Sequence, residues 1–235
     1  MLPDRFHSLI LNIIYLLLEH LIDGMFHESG WYGNWGAVIA SIVLATFIFT
    51  VFVAKPKKMD WKSYGLTEAF IISLFTEMFG IPLTIYTLSS ILKIDIPLNG
   101  LTGHLFATAL AYLGLLELEA AVALVMVVSL LIISFGLILL IIGWYEVYKY
   151  REGIAMTGLY RLVRHPQYLG IILIMTGFMI QWPTIPTLIM YPILLYIYHR
   201  QALKEEKYML EKYGEEYRRY METTPRYNIL KKLFK

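Results

Sequence analysis

The chain of 235 residues contains no cysteine, which excludes disulfides, thiolate metal sites and a cysteine nucleophile. Charge is scarce: Asp, Glu, Lys and Arg make up 16% of the residues and the formal net charge is only +2. So weak a positive balance gives no footprint for nucleic acid. No glycine-rich nucleotide loop follows a strand-like segment, and the six histidines show no metal-ligand spacing. Internal repeats and low-complexity tracts are also missing. An apolar stretch follows Met1–His7 without a clean small-residue cleavage site, so no cleavable leader is expected.

Apolar residues fill the space left by charge. They reach 58%, with a mean hydropathy of +0.59, against about 45–50% in an ordinary soluble domain. Residues 29–54, 120–145 and 167–199 are runs of 26, 26 and 33 residues without Asp, Glu, Lys or Arg. A spanning helix needs about 20 such residues. The pattern predicts an all-α, polytopic transmembrane protein with spans over 35–54, 66–92 and 122–144. The 66–92 span should be kinked at Pro82. Residues 6–22 read as a spanning or interfacial helix, and 104–118 as a short re-entrant or interfacial one.

The 33-residue run carries Gln181-Trp182-Pro183-Thr184-Ile185-Pro186 near its middle. Prolines at that spacing mark a turn, so the run reads as a tight hairpin of 168–180 and 187–198. Charge supports that reading. With a hairpin, 18 of the 20 Lys and Arg residues share one face, which the positive-inside rule makes cytoplasmic. A single helix over 167–199 puts the last ten on the other side. Residues 200–220 read as a cytosolic amphipathic helix, with a possible bend at Gly214. Glu68, Glu77, Glu117 and Glu119 lie in or beside apolar stretches and are functional candidates on that ground.

A hairpin returns the chain to its starting point. Arg164, His165 and Tyr168 should therefore lie near Glu205 and Glu206, with cations, acids and aromatic rings in one pocket at the membrane surface. Arg164-His165-Pro166-Gln167-Tyr168 is preceded by Thr157-Gly158-Leu159-Tyr160. It is followed by Glu205-Glu206, Tyr213-Gly214-Glu215-Glu216-Tyr217 and Thr224-Pro225-Arg226. In order and spacing these elements resemble the isoprenylcysteine carboxyl methyltransferase and phospholipid methyltransferase superfamily. The resemblance runs from about residue 145 to 226. It divides the chain into an N-terminal transmembrane region, 1–119, and a methyltransferase core, 120–235.

The resemblance implies a site for S-adenosylmethionine (SAM) without a Rossmann fold. His165, Pro166, Gln167 and Tyr168 would border the cofactor, with Arg164 bridging the loop to Glu206. Tyr160 and Gly153-Ile154-Ala155 would close over it, and Glu205 would face it. Arg200 and Glu206 are the catalytic candidates, and Glu206 or an intramembrane acid is the candidate proton acceptor for an amine. The implied partners are membrane lipids and a lipidic or prenylated small-molecule acceptor, with no nucleic acid. One departure bears on the acceptor. The arginine that the prenylcysteine enzymes place one turn before the acidic pair is Gln201 here, with Arg200 adjacent. A phospholipid N-methyltransferase is the nearest alternative. Arg-His-Pro-x-Tyr also resembles NADPH-dependent sterol reductases, but Gln167 and Ile171 replace two residues usual there. A non-catalytic membrane scaffold is the remaining reading.

Overall fold

The computed structural model describes residues 31–52, 61–149 and 153–228, so the expected helix at 6–22 lies outside the described residues. Among the described residues the protein is helical and has no strand. The helices are α1 (Trp35–Phe52), α2 (Trp61–Phe75), α3 (Leu83–Leu92), α4 (Leu105–Tyr112), α5 (Leu118–Lys149), α6 (Pro166–Gln181), α7 (Ile185–Tyr213) and α8 (Glu215–Thr223).

One described helix is long and apolar enough to cross a membrane, Leu118–Val147 within α5. It has no proline and is rich in Leu, Ile and Val, and much of its apolar surface (Leu124, Leu131, Phe135, Ile138) stays exposed. α1 and α6 are apolar but shorter. At about 1.5 Å per residue the 16 residues of α6 measure about 24 Å, less than the ~30 Å hydrocarbon core.

The 66–92 stretch departs from the expected kinked span. α2 passes into a π-helical turn, Thr76–Gly80, and α3 sets off at 72° to it. Pro82 cannot donate to a continuing ladder. The Glu77 carboxylate instead accepts the Thr84 N–H at 2.8 Å, which satisfies a free donor at the start of α3. A kink becomes a break because the new helix has its own cap.

By contact clustering the chain forms two compact units. One ends at Val125 and takes in Gln181–Met190; the other comprises Met126–Ile180 and the chain from Tyr191 onward. The hairpin tip thus belongs to the first unit. There the Thr184 hydroxyl accepts the Thr187 N–H (3.2 Å) and the Thr187 hydroxyl accepts the Thr184 N–H (3.1 Å), a reciprocal cap that starts α7. Trp182 stacks on Trp31, and the His104 Nδ1–H donates to the Gln181 carbonyl at 2.8 Å.

In the second unit α5 and α6 cross closely. A Cβ on Gly136 would sit 2.7 Å from the Gly170 carbonyl oxygen, and one on Gly170 would sit 2.6 Å from that of Gly136. Such glycines let helix backbones touch where apolar driving force between helices is weak. Thr176 and Tyr191 hydroxyls meet at 2.6 Å, which ties the two arms of the hairpin. The helix expected over 200–220 is not a separate element. α7 runs unbroken through Pro192 from the hairpin to Tyr213, and Gly214, at φ +54°, ends it before α8. The polar segment therefore continues the helix of the second arm.

Candidate functional site

The site lies in the second unit, where the 153–165 loop meets the polar half of α7 and the chain after α8. Pro166 opens α6, a favoured place because its missing N–H is not needed in the first turn. The loop before it is held from three directions. The Arg164 and His165 N–H groups donate to the Pro225 and Arg226 carbonyls at 2.9 and 3.3 Å. The Tyr220 hydroxyl donates to the Tyr160 carbonyl at 2.5 Å. The Glu146 carboxylate accepts the Leu159 N–H at 3.0 Å and lies against Gly158.

Glu206 is the hub. It is 3% exposed, and its Oε1 accepts Arg164 Nε at 2.9 Å, Arg226 Nε at 2.9 Å and His165 Nε2 at 3.2 Å. Arg226 Nη2 reaches its Oε2. A carboxylate oxygen only accepts, so the His165 Nε2 carries the proton. Burial alone pushes the Glu206 carboxyl up. Hydrogen bonds from Arg226, His165 and Arg164, with the Arg164 charge, outweigh burial and hold it well below the usual carboxylate range. Arg164 Nη1 donates to the Met221 and Thr224 carbonyls.

Glu205 has a different environment. Its side chain is 39% exposed; Oε1 accepts the Tyr168 hydroxyl at 2.8 Å and Oε2 lies 3.8 Å from His165 Nδ1. Aromatic rings surround this carboxylate. His165 and Tyr168 stack at 5.5 Å, Tyr168 and Tyr198 lie 5.7 Å apart, and Tyr227 lies 6.1 Å from His165 and 6.2 Å from His199. The Tyr227 hydroxyl is buried and has no hydrogen-bond partner, and burial pushes it up to about 12. Tyr160 is buried beneath the loop; its hydroxyl donates to Gln167 Oε1 at 2.8 Å, while Gln167 Nε2 donates to the Gly143 carbonyl. Burial and then the Glu205 charge raise the Tyr160 hydroxyl.

The fold thus brings Arg164, His165, Tyr168, Glu205 and Glu206 into one cluster. It places Gly153 beside α7, where the Gly153 carbonyl accepts the Tyr213 hydroxyl at 3.3 Å; Ile154 and Ala155 follow half-buried. Arg200 stands apart, exposed on α7 with its guanidinium 6.0 Å from the Tyr196 ring centroid. Arg226, Tyr227, Glu146 and Tyr220 were not singled out by sequence reasoning. Arg226 closes the Thr224-Pro225-Arg226 motif and Tyr227 directly follows it, but nothing local says that both turn toward Glu206 and His165. An open cleft of about 610 Å³ beside α8, lined by Arg161, Arg219, Glu215 and Glu216 among others, contains none of the Glu205, His165 or Tyr168 side chains.

Residues 105–216 match the family described as phospholipid methyltransferase. The matched stretch includes Tyr160, Arg164 to Tyr168 and the Glu205–Glu206 pair, and it ends before Arg226 and Tyr227. No curated protein and no solved structure matches the chain.

Proposed function

We propose that the protein is a SAM-dependent methyltransferase acting on a membrane lipid, with a phospholipid amine as the first candidate acceptor. The observation that carries this reading is the Glu205–Tyr168–His165 arrangement, a half-exposed carboxylate among aromatic rings, within a stretch similar to phospholipid methyltransferases. The donor set suits the cofactor. Glu205 offers an anion to an ammonium or to ribose hydroxyls. The faces of Tyr168, His165 and Tyr227 suit a sulfonium or an adenine ring, and the buried Tyr227 hydroxyl awaits a partner. When bound, SAM supplies an activated methyl group for in-line transfer.

The chain's own residues then act by positioning. Glu206, held as an anion by Arg164, Arg226 and His165, takes up no proton and instead orients the imidazole and fixes the loop. His165 and Tyr168 pass that order on to Glu205. With Glu205 committed to the cofactor and Glu206 to its three donors, an amine acceptor sheds its proton to water on the exposed side of the cluster. The phospholipid reading gains over carboxyl methylation from Arg200, which stands over Tyr196 rather than at the cluster and so is poorly placed to hold a carboxylate.

We read the chain as multi-pass, with the loop at 153–165 and the polar half of α7 facing the cytoplasm. The support is the distribution of Lys and Arg together with the exposed apolar surface of α5.

Calorimetry on the purified protein tests the proposal. SAM should bind and NADPH should not, and Glu205→Ala should weaken SAM about ten- to a hundredfold, as expected for losing a hydrogen bond to a charged group. Unchanged SAM affinity in Glu205→Ala, or binding of NADPH alone, refutes it.

A further inference from the structure

The helix break in the first unit holds buried polar atoms that the methyl-transfer reading does not use. The segment before α1 runs beside the π-helical turn. Trp31 Nε1 donates to the Met78 carbonyl at 2.8 Å, Gly33 N to Gly80 O at 2.8 Å and Asn34 N to Phe79 O at 3.0 Å. Ile81 N closes the turn on Thr76 O. This pairing carries Tyr32 alongside the turn. Its hydroxyl is buried without a hydrogen-bond partner, and Glu77 and Tyr86 are close enough to act on it electrostatically. Glu77 is 3% exposed. Its Oε2 caps α3 through Thr84 N, and its Oε1 is buried without a partner. The Ser41 hydroxyl is a third such atom. It sits on α1 one turn beyond Val38, whose side chain abuts Gly80.

A buried, unpaired carboxylate oxygen is expensive, and the Tyr32 hydroxyl adds a second unpartnered polar atom at the same break. We propose that the Glu77 Oε1 and the Tyr32 hydroxyl form a binding site for a protonated primary amine. The chemistry selects this class. An anion is repelled by Glu77. A metal ion such as Ca²⁺ wants six or more oxygen ligands, and the Thr76, Met78, Phe79 and Gly80 carbonyls already accept other donors. An ammonium group has three N–H donors and a charge, so it needs two or three acceptors and an anion. Pi-helical turns and broken apolar helices recur where ligands meet the backbone of membrane proteins. The exposed Ile81, Leu83 and Tyr86 side chains form an apolar rim around the break. All these residues precede the matched stretch, which begins at residue 105, so the site stands or falls independently of methyl transfer.

The amine is either a lipid headgroup or a free solute, and two arms separate these. In the first, the full-length protein in phosphatidylcholine nanodiscs is titrated with ethylammonium, with tetramethylammonium and Na⁺ as controls that lack N–H donors, and binding is read by thermal shift. Ethylammonium should stabilise the parent, whereas the controls at equal ionic strength should not. Tyr32→Phe should weaken binding about tenfold, and Glu77→Gln should abolish it. In the second, protein purified from mixed vesicles is examined by native mass spectrometry. Retention of phosphatidylethanolamine by the parent and by Glu205→Ala, but not by Tyr32→Phe, identifies the lipid headgroup. If the parent distinguishes neither ethylammonium from Na⁺ nor phosphatidylethanolamine from phosphatidylcholine, the two oxygens share only a water and the proposal is overturned. Unchanged amine affinity in Tyr32→Phe and Glu77→Gln overturns it equally.

Discussion

Glu206→Ala removes the anion from beneath three cationic or donor groups, and the structure fixes the cost. Arg164 is 9% exposed and would retain only the Met221 and Thr224 carbonyls. Leaving a buried charge without its partner costs about 3–5 kcal/mol, or between two and four decades in the folded-to-unfolded ratio. Denaturant unfolding in mixed micelles, with limited proteolysis of the 153–165 loop, measures it. Arg164→Met with Glu206→Leu should recover more than half of the loss, because Arg226 is 24% exposed and can turn its guanidinium to water. Acid should act in the same direction. The folded Glu206 pKa lies below the ordinary value of 4.5, so its contribution is complete above about pH 4.5 and is lost as pH falls further toward the folded value. Glu206→Gln should flatten that part of the stability profile. The hub role of Glu206 fails if Glu206→Ala stays within about 0.5 kcal/mol of the parent, the range of an ordinary surface change. It also fails if the double variant is no more stable than the single one.

Gly158→Ala places a Cβ against Glu146 at a position with φ +55°, so it should cost about 1–3 kcal/mol and speed cleavage of the loop in limited proteolysis. Gly170→Val should force α5 and α6 apart, since a Cβ there lies 2.6 Å from the Gly136 carbonyl oxygen; a loss of about 1–3 kcal/mol in denaturant unfolding is expected. Because the chain has no cysteine, single cysteines at Lys93, Arg161 and Glu211 report sidedness without background. Impermeant labelling should find Arg161 and Glu211 on one side and Lys93 on the other. Opposite accessibility of Arg161 and Glu211 would remove the hairpin topology.

Composition and run length determined that the chain is helical and strongly apolar, because a charge-free run of 26 residues such as 120–145 has few alternatives. The turn at 181–187 was legible too. Two prolines and two threonines mark it locally, and the cap that starts α7 uses those threonines alone. From that turn it followed that Arg164 and His165 approach Glu205 and Glu206. Residue type and spacing do not divide labour between the two acids; the family resemblance set Glu206 against Arg164, as the structure has it. The acids are chemically identical neighbours, and the fold turns Glu206 into Arg164 and Arg226 while leaving Glu205 half in water. Arg200 illustrates the same limit: proximity in sequence suggested the site, but the helical rotation put it over Tyr196. The break at Thr76–Gly80 was equally hidden. Pro82 signals a bend, but its size depends on Glu77 reaching forward to cap Thr84 and on residues 31–34 pairing with the turn. Those contacts join positions up to 47 apart in the chain. Local pattern sets which residues are helical, whereas partners for buried polar groups are chosen by distant segments, and only the tertiary structure names them.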